Sequence, residues 1–211
     1  MQKIAIYDLD RTILKKPTFT AFLIFAARAK QRALWWRAPI WVFALLGYLL
    51  KLYDRKAMKQ FGMRLFIGAY LTREEADRLA RAFTAQIVPS DILPGAARMM
   101  AADKADGFIL IIASAAQEIY VAQIARALQF HAFVATRNQE TGGAYRHLLQ
   151  GENCYGAEKL RRVTAWMDEQ KWDRSQCFIR CYSDHPSDAP LLDWADEAIL
   201  ISAEEQHGIL A

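Results

Sequence analysis

The sequence predicts an α/β protein, a doubly wound parallel sheet with an all-helical cap inserted after its first strand. Three observations predict it. Short apolar, β-branched-rich segments end in polar residues; helical patterns lie between them; and a long stretch after the first segment contains no convincing strand.

Lys3–Tyr7 (KIAIY) reads as a buried strand that stops at the acidic loop Asp8-Leu9-Asp10-Arg11-Thr12. The insertion, residues 16–88, follows at once. Within it Thr72-Arg73-Glu74-Glu75 has the form of a capping box, opening a helix that runs to about Gln86 and is ended by Pro89. Residues 1–15 and 89–211 then make up the α/β catalytic core. Phe108–Ala113 (FILIIA) is a second strand and ends at Ser114, and Ala115–Phe130 places apolar residues at helical spacing. His131–Ala135 is a weaker strand and Gly156–Trp166 a further helix. Cys177–Tyr182 (CFIRCY) repeats the strand pattern and ends at Ser183-Asp184, and Glu197–Ile201 (EAILI) is the last strand. Sheets of this kind are covered on both faces and bind ligands beyond the carboxyl ends of their strands. The polar residues ending three of the strands are therefore candidates for one shared site.

Composition narrows the class. With 54% hydrophobic and 24% charged residues in 211, the chain supports a folded domain with a sizeable insertion, and disordered or collagenous readings drop out. A net charge of +4 is too mild to point to nucleic acid. The clearest basic run, Arg28, Lys30, Arg32 and Arg37, leads directly into an apolar stretch, which suggests a membrane surface or an anionic substrate instead. Cys154, Cys177 and Cys181 lack metal-site spacing and read as small core residues in a reducing compartment. The N-terminus goes straight into a strand with no signal peptide, so the cytoplasm is the expected location.

Four places carry chemistry. Asp8 and Asp10 leave a strand two residues apart, where their charges repel. A bound divalent cation relieves that repulsion, as does a division of roles between an ionised nucleophile and an acid/base; an Asp-x-Asp turn is the plainer reading. Ser114 and the N–H group of Ala115 suit a phosphate oxygen at a helix N-terminus, and Ser114 equally suits an N-cap. Lys159, near the start of a helix, is a point charge for phosphate or a solvated surface residue. Asp184 and Asp188, just past a strand, complete a metal site or form a turn and an N-cap.

In that order and setting, the acid pair, serine, lysine and second acid pair resemble the haloacid dehalogenase superfamily of phosphohydrolases. The motifs stand as Asp8-Leu9-Asp10-Arg11-Thr12, Ser114, Gly156-Ala157-Glu158-Lys159, and Asp184 with Asp188. The insertion after the first motif, together with Asn153-Cys154-Tyr155-Gly156 and Tyr182-Ser183-Asp184, is similar to the branch containing phosphoserine phosphatase. The resemblance implies a magnesium-dependent phosphomonoester hydrolase in which Asp8 becomes aspartyl-phosphate and Asp10 is the acid/base. It implies that Asp8, the Asp10 carbonyl and Asp184 hold Mg2+ with Asp188 in support, that Ser114, Ala115 and Lys159 bind phosphate, and that Thr12 holds the nucleophile loop. Motif II lacks the glycines common in relatives, and His185-Pro186 stands where small polar residues are usual. Phosphotransfer or a mutase reaction on the same intermediate, and a non-catalytic binding module keeping the fold, are the rival readings.

Ala38–Leu50 is uncharged and mostly apolar, with Trp35, Trp36 and Arg37 before it and Lys51 and Tyr53 after it. As a helix it rises about 20 Å, short of a ~30 Å hydrocarbon core. It either packs against Phe61, Leu65 and Phe66 or a dimer partner, or lies on a bilayer through residues 35–53, which would place the protein at the inner face of a membrane. The substrate expected is a small phosphorylated metabolite or a phospholipid head group; no motif in the cap selects one, and nothing in the sequence sets an oligomeric state.

Overall fold

The computed structural model describes residues 1–201, so the stretch 202–211 assigned to the core lies outside the described residues. Five parallel strands make the central sheet: β1 (Gln2–Tyr7), β3 (Ile109–Gln117), β4 (Ala132–Thr136), β7 (Cys177–Ser183) and β8 (Glu197–Leu200), in the order β4-β3-β1-β7-β8. The two longest predicted strands, β3 and β7, flank β1 at the centre of the sheet, with Tyr7 opposite both Ile112 and Tyr182.

Side-chain alternation along β1 explains the double winding. Ala5 and Tyr7 enter a core shared with α5 (Pro94–Ala105), α6 (Glu118–Ala127) and the insertion. Ile4 and Ile6 point to the opposite face, against Val163 and Met167 of α7 (Ala157–Glu169) and Leu191 of α8 (Ala189–Trp194). With both faces covered, β1 is apolar and buried from Ile4 to its end at Tyr7.

The insertion is α1 (Thr18–Ala29), α2 (Leu34–Leu49), α3 (Arg55–Phe66), β2 (Tyr70–Thr72) and α4 (Arg73–Asp91). Phe22 and Phe83 join Tyr120 of α6 in one aromatic cluster, which seats the cap on the core. Thr72 caps α4 as expected, its hydroxyl accepting the Glu75 N–H at 3.2 Å, while the Glu75 carboxylate turns to Lys30 at 2.7 Å instead of closing the capping box.

Several expectations need correction. The α4 helix does not stop near Gln86: it passes through exposed Pro89 to Asp91. In the last turn a proline forfeits one hydrogen bond without breaking a long helix behind it. The cap is not all helical, because β2 pairs antiparallel with β6 (Ala144–Leu149), which pairs with β5 (Asn138–Thr141). The β5–β6 turn is Gly142-Gly143, both at positive φ, a hairpin signal the sequence did carry. Ser114 does not cap a helix, since β3 continues to Gln117 and α6 begins at Glu118. Finally, α2 starts earlier than Ala38 and buries only Trp41, which packs on Phe19 and Phe66. The segment therefore packs along one face only, Trp41 buried and Ala44, Leu45 and Tyr48 half-buried against the same core.

Candidate active site

The loop leaving β1 is tied to its neighbour before it folds back. The Asp8 N–H donates to the Tyr182 carbonyl at 2.9 Å, and the Leu9 carbonyl accepts from Ile13 and Leu14 at 3.1 and 2.9 Å. Arg11, at the tip, takes a positive φ of 64°. Thr12 is buried behind the loop; its hydroxyl accepts the Asp184 N–H at 3.1 Å and lies 3.4 Å from Asp184 Oδ1. The loops after β1 and β7 are thereby locked together, so that Asp8 and Asp184 open into the same cleft.

Lys159 sets the electrostatics. Gly156, with φ 59° and ψ −133°, caps α7 in a conformation that disfavours a Cβ, and the first turn then carries Lys159 inward. Its buried Nζ sits 2.8 Å from Asp8 Oδ1 and 2.6 Å from Asp188 Oδ2. Burial opposes the charge, but the two carboxylates outweigh it and raise the Lys159 pKa, keeping the ammonium charged. Burial pushes the Asp8 carboxyl up, Lys159 works against it, and Asp188 adds to it. Ser183 Oγ donates to Asp188 Oδ2 at 2.6 Å, while Asp188 Oδ1 is buried without a hydrogen-bond partner.

Asp10 has a different environment. Its Oδ1 accepts from the N–H and hydroxyl of Thr18 at 2.9 and 2.7 Å, at the start of α1. Burial raises its pKa, and the Thr18 hydrogen bonds are the main opposing effect. Two carboxylates two residues apart thus have separate partners, one a lysine and the other a helix N-terminus.

Ser114 is buried, its hydroxyl accepting the Ala116 N–H at 3.1 Å, and both Ser114 and Ala115 line the cleft. Burial pushes the thiols of Cys154 and Cys181 up to about 11 and about 12, so neither offers a thiolate near neutral pH. All three cysteines are free and buried. The structure brings Asp8, Asp10, Ser114, Ala115, Lys159, Asp184 and Asp188 into one cleft and places Thr12 behind it.

Sequence reasoning missed Thr18, Arg55 and Lys59. Arg55 reaches the cleft from α3 with its guanidinium 3.8 Å from the Tyr155 ring centroid. Lys59 spans from α3 to the core, donating to Asn153 Oδ1 at 2.6 Å and to the Ala115 carbonyl. Nothing in a lone cap lysine or arginine signals such reach; the Asp54 N-cap that aims α3 was the readable clue. His185, a departure from relatives, caps a short turn by accepting the Ser187 N–H at 3.1 Å on Nδ1. The turn still delivers Asp188 to Lys159.

The cleft holds hard oxygen donors, which with the orphaned Asp188 Oδ1 suit a small divalent cation better than a soft metal. Among the described residues no three His, Cys, Asp or Glu side chains gather to hold a metal ion. With the Asp10 side chain committed to Thr18, the residues that could hold such a cation are Asp8, Asp184 and, through its carbonyl, Asp10, with Asp188 in support.

The fold and cleft define a capped α/β enzyme with an acidic site buttressed by lysine. The haloacid dehalogenase-like hydrolase profile matches residues 5–193, and the chain belongs to that family. It is 29% identical over 200 residues to the protein CicA of Caulobacter vibrioides, covering 90% of this chain and 82% of that protein. It is 27% identical over 206 residues to a probable phosphatase of Mycobacterium tuberculosis, covering 95% and 69%. Among solved structures, a Bordetella pertussis protein of unknown function superposes with a TM-score of 0.85 at 20% identity, covering 95% and 90%. Phosphoserine phosphatase with an analogue of its phospho-aspartyl intermediate superposes at 0.62 and 14% identity, covering 94% and 86%, and shares the fold.

Proposed function

We propose that the protein is a magnesium-dependent phosphomonoesterase that works through a phosphorylated Asp8. The observation that carries this is the pair of separate environments: Asp8 faces Lys159 at 2.8 Å, whereas Asp10 is held by Thr18. Asp8 Oδ attacks phosphorus and the bond to the leaving oxygen breaks, giving an acyl phosphate. Asp10, with its raised pKa, donates the proton that the leaving oxygen needs. It then takes a proton from the water that attacks the acyl phosphate, releasing inorganic phosphate and restoring Asp8. Lys159 offsets the repulsion between an anionic ester and an anionic nucleophile, and Ser114 stands where it can hold a phosphoryl oxygen. Asp8, Asp184 and the Asp10 carbonyl would hold Mg2+, which would supply charge neutralisation at the phosphoryl group.

The organic part of the substrate lies toward Pro17 and Arg55 of the cap and Tyr155 and His185 of the core loops, which line the rest of the cleft. It belongs to a small phosphorylated metabolite or a phospholipid head group. Assay of a chromogenic phosphate ester with magnesium, wild type against Asp8→Asn, tests the reaction; loss in the variant is expected, and undiminished turnover would overturn it. A panel of phosphometabolites and phosphorylated lipids then assigns the substrate.

A further inference from the structure

We propose that the outer face of α2 docks on an anionic lipid bilayer. The inner face of this helix buries Trp41 and half-buries Ala44, Leu45 and Tyr48. The outer face carries Val42, Phe43, Leu46, Leu49 and Leu50 at helical spacing, and their exposures are 54, 73, 48, 70 and 72%. Trp35 at 81% and Leu52 at 74% continue the surface past both ends. A surface helix ordinarily turns polar and charged residues outward. Here no charged residue stands between Arg37 and Lys51. A contiguous exposed apolar stripe of this kind marks a contact surface.

Charge selects the occupant. Between Arg11 and Thr72 lie twelve of the 27 Lys and Arg residues but only one of the 23 Asp and Glu, Asp54. That segment is net +11 and the rest of the chain, with fifteen basic against twenty-two acidic residues, is net −7, together giving the +4 total. A second copy docked through the same face would set two cationic caps against each other, whereas an anionic bilayer offsets the charge. Geometry agrees. Sixteen residues span about 24 Å, below the ~30 Å hydrocarbon core, so α2 lies along the surface. No helix among the described residues is long and apolar enough to cross a membrane.

The docked helix also ends beside the cleft. Tyr48, near the end of α2, accepts a hydrogen bond from Arg55 Nε at 3.1 Å, and Arg55 lines the cleft.

Flotation of the full chain with phosphatidylcholine vesicles, with and without phosphatidylglycerol, tests the surface and is independent of turnover. Binding is expected to the anionic vesicles at low salt, falling about ten-fold in high salt or on neutral vesicles. The triple variant Phe43→Glu, Leu46→Glu, Leu50→Glu changes exposed positions only; it should keep its melting temperature and lose binding about ten-fold or more. Absence of flotation at low salt, or undiminished flotation of the variant, overturns the proposal. So does a dimer in sedimentation that the triple variant dissolves.

Discussion

Lys59 Nζ lies 2.6 Å from Asn153 Oδ1, joining the third cap helix to the loop that precedes the α7 lysine. Thr136 donates to the same Asn153 oxygen at 2.9 Å, so one amide gathers the cap, β4 and the loop before α7. Burial pushes Lys59 down from its ordinary 10.5 to about 7. Between those values the unfolded chain holds the proton and the folded chain does not, so this group makes stability rise with pH across that window. Below about 7 both states hold it and the burial penalty is fully present. Lys59→Met should therefore gain most, relative to wild type, at neutral and acid pH, the difference shrinking toward pH 10. Melting temperatures of both proteins at stepped pH measure it; a parallel pair of curves would refute the assignment.

Asp8→Asn should abolish turnover, because the amide cannot form the acyl phosphate. Asp10→Asn should leave some phosphoenzyme trapped when the donor's leaving group needs no proton, since the water that releases the phosphate still needs Asp10 as its base. Acid-quenched labelling with a phosphoryl donor reads both; full labelling of the Asp8 variant would contradict the scheme.

Lys159→Met leaves the Asp8 and Asp188 carboxylates facing a buried site without their cation. Turnover should fall about 10²-fold or more, and stability by about 3–5 kcal/mol when both are ionised. Without the lysine, which holds it down, the Asp8 carboxyl titrates still higher in the folded state, so the folded chain binds more protons and the loss deepens as pH rises. Urea unfolding at pH 5 and pH 8 checks the sign; a larger loss at pH 5 would be the wrong one.

Trp41→Ala should destabilise the chain by about 3–5 kcal/mol, because its ring is buried between Phe19 and Phe66. Phe43→Ser, two residues on and 73% exposed, should change stability by about 0.5 kcal/mol or less. Thermal or urea denaturation separates the two faces of one helix.

The strands were legible because buried parallel strands are short, mostly apolar runs, and the runs in β1, β3 and β7 each give way to polar residues close to the site. Asp8, Ser114, Lys159 and Asp184 could be picked out because each follows such a run or opens a helix. Thr18 and Lys59 could not. Their positions depend on how α1 and α3 settle on the core, a tertiary outcome without local periodicity. β2 escaped because three residues give no alternation to count, and α5 because Pro94–Ala105 has no clear apolar stripe. Pro89 misled because a proline's effect depends on how many turns remain after it.

The ladder between β2 and β6 bears on how the cleft exchanges its contents. Tyr70, Leu71 and Thr72 are paired with Arg146, Tyr145 and Ala144, and Arg73 is ion-paired to Glu140. A cap attached only by its two linkers would swing as one lid. This one is stitched to the core at its far end, so a full swing must unzip backbone pairing. Helix α1 is fixed by Thr18 on Asp10 and Phe22 on Tyr120. By contrast, α3 meets the core through the side chains of Lys56, Lys59 and Gln60, and those are the contacts a movement of α3 breaks. Product would then leave through a seam opened beneath α3, while α4 and the hairpin stay in place as the fixed post.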